Sequence, residues 1–159
     1  MPDELSARLI VMDTAPLITL AVAESLDFLL YPGIPVAIPD AVLYEATRDA
    51  EALGAMAILD WAQRRAEQVR TLSTETFFNY LRRLDAEPGW REHDLGERAA
   101  IEAIHDAIHL AADERAILIT EDDRALRRVL VVEAELTSRM IPITTRDFLD
   151  GLEIGRAHV

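Results

Sequence analysis

The feature that most restricts how this chain folds is a set of short, unbroken apolar runs of strand length, each followed by a turn residue and then by a helical pattern. They are Leu9-Ile10-Val11-Met12, Pro35-Val36-Ala37-Ile38, Ala116-Ile117-Leu118-Ile119 and Met140-Ile141-Pro142-Ile143. A strand with one wet face alternates, whereas a strand covered on both faces does not, so these runs predict a parallel sheet buried between helices. Gln68-Val69-Arg70-Thr71-Leu72 is more polar and reads as an edge strand. Repeated strand–helix order with right-handed crossovers gives an α/β fold, a three-layer α/β/α sandwich around a mostly parallel, doubly wound sheet. A length of 159 residues suits one domain covering 1–159, with a frayed tail after about residue 155.

Helical spacing fills the gaps between the runs. Ala15 to Leu30 carries Leu17, Leu20, Ala21, Leu26 and Leu29, with Pro16 tolerated in the first turn. Asp40 is placed to cap a helix through Val42 and Leu43, followed by a second over Ala52 to Arg65 and a third over Thr74 to Leu84. Asp94 opens the longest, to about Ala112. Asp122 or Asp123 starts another through Leu136, and Thr145 starts a short one ending near Leu152.

Composition removes whole classes of chemistry. The chain has no cysteine, which excludes disulfides, thiolate metal sites and thiol nucleophiles. All sixteen of its basic residues are arginines, so mechanisms that need a lysine amine, including Walker-type phosphate loops and Schiff bases, are excluded too. A net charge of −13 is the wrong sign for holding a polyanion by a general basic field, so any nucleic acid would be held by local arginines and metal ions. The same charge suits a basic partner protein. The start, MPDELSAR, is unlike a secretory leader, and no run approaches the roughly 18 apolar residues of a membrane span, so a cytoplasmic protein is expected.

In an open parallel sheet, ligands collect beyond the carboxyl ends of the strands. Asp13 directly follows the first run, and Thr120-Glu121-Asp122-Asp123 directly follows the third, which assigns both to one rim. Glu97 lies in the first turn of the longest helix, in line with Ile101, Ile104 and Ile108, and therefore on its inward face. Glu45 follows Ala41 and Val42 on the apolar side of its own helix. Inward carboxylates repel unless they are protonated or neutralised, and a shared divalent cation neutralises them. Oxygen ligands point to Mg²⁺ or Mn²⁺, and acids of this kind set a metal-activated water against a phosphodiester, with hydrolysis of RNA or DNA the natural reaction class.

Four segments carry a family resemblance: Val-Met-Asp13-Thr-Ala-Pro-Leu-Ile, Val-Leu-Tyr-Glu45-Ala, Leu-Gly-Glu97-Arg-Ala-Ala-Ile and Leu-Ile-Thr120-Glu-Asp122-Asp123-Arg-Ala-Leu-Arg. In their order, and over residues 9 to 128, they resemble the signature segments of PIN domains, nearest to bacterial proteins related to VapC-type toxins. The resemblance implies a metal-dependent ribonuclease with Asp13, Glu45, Glu97 and Asp122 as its acidic site. Thr120 matches a hydroxyl position beside the metal, and Asp123 replaces or assists Asp122. Three departures bear on substrate. Ala15 stands where many toxin relatives have Ser or Asn, lysine is absent, and Leu72 to His93 has no matching segment.

Each acid also has a structural reading. Asp94 and Glu97 have capping-box spacing, Asp122 and Asp123 fit a helix cap, and Glu45 fits an i,i+3 pair with Arg48. His105 and His109 have the spacing of two zinc ligands but lie in the polar row with Arg98 and Glu102. Phe77, Phe78 and Tyr80 fit core packing or a dimer contact better than base stacking. Arg124, beside the acids, fits a phosphate contact as well as a solvated helix face, and so do Arg127 and Arg128.

The combined expectation is a Mg²⁺- or Mn²⁺-dependent endoribonuclease, the toxin of a toxin–antitoxin pair, with RNA as substrate, an antitoxin protein as partner and a homodimer as assembly. Asp13, Glu97 and Asp122 would hold the principal ion, Glu45 would complete the site, and water would attack phosphorus in line without a covalent enzyme intermediate. The alternatives are a protein-binding module that keeps the acids without the activity, and a structure-specific DNase.

Overall fold

The computed structural model describes residues 6–106, 114–122 and 140–157. Five strands form one sheet in the order β3-β2-β1-β4-β5, and every neighbouring pair is parallel. The strands are β1 (Ser6–Met12), β2 (Val36–Pro39), β3 (Val69–Leu72), β4 (Glu114–Ile119) and β5 (Met140–Ile143). The apolar runs are therefore the sheet, and the polar run is its edge. The helices are α1 (Thr14–Val22), α2 (Asp40–Thr47), α3 (Ala55–Arg64), α4 (Glu75–Ala86), α5 (Leu95–Asp106) and α6 (Thr145–Ala157), with a 3-10 turn at Leu26–Leu30.

Period-2 alternation sorts the central strands between two cores. Ile10, Met12, Val36 and Ile38 face α1, α2 and α3, where Leu17, Leu20, Ile58 and Trp61 are buried. Val11, Ala37, Ala116 and Leu118 face the opposite layer, where α5 contributes Ala100 and Ile104. A smaller cluster of Ala41, Tyr80, Leu95 and Ala99 joins α2, α4 and α5. Tyr44 and Phe77 pack against it with ring centroids 5.3 Å apart, while Phe78 remains 60% exposed. Side chains tie the layers where backbone ends are left over. The Glu102 carboxylate accepts from the amides of Glu75 and Thr76 at the start of α4, and Asp40 accepts from the amide and hydroxyl of Thr74.

Three expectations need correction. The helix expected over Ala15 to Leu30 stops at Val22. Ser25 N–H reaches the Leu20 carbonyl at 2.8 Å, Glu24 N–H reaches Ala21 at 3.1 Å, and Glu24 takes φ 53°. That is a Schellman end with glutamate where glycine is usual, so the sequence shows no stop signal and the helical spacing runs on through it. Relief of the left-handed strain offset by glycine's entropy predicts that Glu24→Gly raises stability by about 0.5 kcal/mol, read as a small rise in the urea midpoint. Unchanged or lowered stability would show that Glu24 makes a compensating contact. The helix expected to end near Leu152 runs to Ala157, which also places helix where a frayed tail after residue 155 was expected. The helix expected to start at Asp94 begins at Leu95, because Asp94 itself takes φ 58°. Its continuation to Ala112, Ile108, His109, Asp123, Arg124, Arg127, Arg128 and the helix expected through Leu136 lie outside the described residues. No helix among the described residues is long and apolar enough to cross a membrane.

Candidate metal centre

β1 and β4 lie side by side at the centre of the sheet, with Met12 paired to Ile119, so the residues after them emerge together. The chain leaves β1 toward β2 on one side, while β4 leads to β5 on the other, which makes this rim the point where strand order reverses. Asp13 N–H donates to the Ile119 carbonyl at 3.1 Å, and Thr120 N–H donates to Ile143 at 3.0 Å. Both residues are thus held by the ends of the ladder itself. Asp13 Oδ1 accepts from the Thr14 amide at 2.8 Å and caps α1. Its Oδ2 accepts from the buried Thr120 hydroxyl at 2.8 Å, and that hydroxyl in turn accepts from the Asp122 amide at 3.2 Å. Thr120 therefore fixes the Asp13 carboxylate and the start of the Asp122 turn at once.

Around this rim lies a cavity of about 450 Å³ to which six carboxylates contribute: Asp13, Glu45, Asp94, Glu97, Glu121 and Asp122. Among the described residues no basic side chain lines it. One carboxylate oxygen from each of Asp94, Glu97 and Asp122 lies within 4.8 Å of the others. Glu97 is buried at 8% exposure on the inward face of α5, above Ala100 and Ile104, whereas Asp94 and Asp122 reach solvent. Like charges about 4 Å apart cost about 1 kcal/mol per pair in water and about 4 kcal/mol near a protein surface, and a cation placed among them relieves that repulsion. Three hard oxygen donors beside further acids fit a divalent cation of the Mg²⁺ or Mn²⁺ type.

Glu45 faces the same cavity, but both of its oxygens are engaged. Oε2 accepts from the Thr14 hydroxyl at 3.0 Å and Oε1 from the Gly96 amide at 3.0 Å. Its carboxylate thus bonds α1 and the first turn of α5, not Arg48. The crossing is close enough that a Cβ on Gly96 would lie 2.9 Å from Thr14 Oγ1, 3.1 Å from Glu45 Oε2 and 3.3 Å from Val42 Cγ2. A glycine is needed there for space.

Of the acids expected at the site, Asp13, Glu45, Glu97 and Asp122 line one cavity, and Thr120 supports Asp13 from behind. Asp123 and Arg124 lie outside the described residues. Asp94 was read only as a cap. Its φ of 58° is not the extended conformation of an N-cap, and its carboxylate joins the trio. Its place three residues before an inward Glu97 was the available signal. Glu121 turns one oxygen to the Thr145 amide at 2.8 Å and caps α6. His105 lies outside the grouped ligands among the described residues.

A family model described as PIN domain matches residues 9–134. A comparison with curated proteins found no match.

Proposed function

Because the chain belongs to the PIN-domain family, a family of metal-dependent nucleases, we propose that it is an endoribonuclease that uses Mg²⁺ or Mn²⁺ to hydrolyse RNA phosphodiester bonds at the acid-lined cavity. The observation that carries this reading is the meeting of Asp94, Glu97 and Asp122 within 4.8 Å of one another at the rim where β1 and β4 end.

Glu97, Asp122 and Asp94 would hold the ion, with Asp13 and Glu45 on the adjoining wall and Asp123 as a further oxygen donor. When bound, a divalent cation polarises a phosphoryl oxygen and makes water a usable nucleophile at neutral pH. The chain's own residues do the placing. Thr120 holds the Asp13 carboxylate toward the cavity, and Glu45 fixes the first turn of α5, which carries Glu97. Arg124, next to the acids in sequence, would contact a substrate phosphate. No lysine or cysteine is available as a nucleophile, which agrees with direct attack by water.

The excess of acid outside the site, with a net charge of −13, favours a basic partner protein, as in a toxin held by its antitoxin, and a homodimer is the assembly proposed. The test is cleavage of labelled single-stranded RNA and of DNA of the same sequence, with Mg²⁺ or Mn²⁺ and with EDTA. RNA cleavage that requires metal is expected. Cleavage of DNA alone favours the DNase reading, and no metal-dependent cleavage of either overturns the proposal.

A further inference from the structure

A second and larger cavity, of about 860 Å³, adjoins the first, since Thr14 and Glu45 line both. Its character is opposite. Where the first cavity is walled by acids, the second has Arg48, Arg91 and His93 in its wall, with Tyr44 and Trp90 as aromatic surface. Two carboxylates also reach it, each engaged by partners other than Arg48 and Arg91. Glu45 is bound to Thr14 and Gly96, and Glu92 pairs with Arg98 at 3.3 Å. Arg48 and Arg91 form no ion pair among the described residues, and the Arg48 guanidinium lies 5.8 Å from the centre of the Tyr44 ring, in a chain whose net charge is −13.

We propose that this second cavity is a subsite for an unpaired nucleotide flanking the scissile phosphate, with Arg48 and Arg91 on phosphate and the Tyr44–Trp90 wall against the base. That a scissile phosphate occupies the neighbouring cavity rests on the nuclease reading above; that nucleic acid binds here does not. Planar guanidinium groups match phosphate oxygens in pairs, and aromatic walls take any base by stacking. The volume lies in the range of small-ligand sites, about 300–1,000 Å³, which is room for a nucleotide, and stacking on an aromatic wall needs the face of an unpaired base.

Trp90 is fixed by the Arg83 guanidinium, 3.8 Å from the centre of its ring, which gives the wall a rigid surface. Pro88 to His93 supplies much of the lining and lies between the second and third of the four signature segments.

The test is fluorescence anisotropy of a labelled single-stranded oligoribonucleotide, in EDTA so that nothing is cleaved, with duplex RNA of the same sequence for comparison. The double variant Arg48→Gln/Arg91→Gln is expected to bind the single strand at least about 10-fold more weakly, and the slope of log K against log salt should fall by about 1.4, or about 0.7 per phosphate contact. Arg8→Gln/Arg70→Gln makes the same change in net charge away from the cavity and should bind as wild type does. If the double variant does not fold, Arg91→Gln alone carries the test, with about half the change in slope. Equal losses in both double variants, an unchanged slope, or tighter binding of duplex than of single strand overturns the subsite. Single-strand binding that depends on Arg48 and Arg91, in a protein that cleaves nothing with Mn²⁺, would leave the subsite standing and remove the nuclease reading.

Discussion

Glu97→Gln is expected to lower metal-dependent RNA cleavage by at least about 100-fold, because even outer-shell partners of metal ligands cost 10–100-fold and Glu97 belongs to the carboxylate trio itself. The amide keeps the shape of the side chain and removes its charge, so the buried position at the start of α5 remains filled. Two measurements of stability separate loss of metal from loss of fold. Wild-type protein should gain about 2.7 kcal/mol at a Mn²⁺ concentration 100 times Kd. For a chain of this size that is a rise in Tm of about 5–10 °C, most of which the variant should lack. In EDTA the metal-dependent difference should vanish, since neither protein then holds the ion. A variant that keeps both its cleavage and its Mn²⁺-dependent rise in Tm would remove Glu97 from the site.

The second large effect is expected at a residue with no functional side chain. Gly96→Ala should destabilise the protein by about 1–3 kcal/mol and lower cleavage by on the order of 100-fold. Two effects oppose each other here. Alanine is the better helix former by about 1 kcal/mol, and Gly96 lies in the first turn of α5. Against that, its methyl would sit 2.9 Å from Thr14 Oγ1 and 3.1 Å from Glu45 Oε2, two atoms bonded to each other across the junction of α1 and α2. Both atoms are tied to the junction by hydrogen bonds, so relieving the clash breaks those bonds or shifts α5 and Glu97 with it. A displacement of about 1 Å is enough for the loss of rate given. Urea denaturation and the cleavage assay read the two effects separately. A variant more stable than wild type with full activity would show that the junction yields without moving the site.

The strands, the parallel sheet, the edge position of β3 and the shared rim of Asp13 and Thr120 could all be read from the sequence, because each depends on local pattern. A strand buried on both faces must be apolar throughout, and an acid after such a run must emerge at its carboxyl end. The inward face of Glu97 follows in the same way from its spacing to Ile101 and Ile104 on one helix. These signals lie within a few residues and need no knowledge of what packs opposite.

Only the tertiary structure decided the rest. Glu24 ends α1 in a conformation that its residue type does not announce, and Asp94 turns from cap to cavity wall through one positive φ. The bond from Glu45 to Gly96 joins residues 51 apart and exists only because α2 and α5 cross without a Cβ between them. The second cavity beside the acids likewise depends on Arg48, on the turn after α2, sharing a wall with Trp90 and Arg91, on the loop before α5. Sequence periodicity states which face of an element is apolar. Which polar groups meet across two elements is set by how closely those elements pack, and that distance is written in no single stretch of the chain.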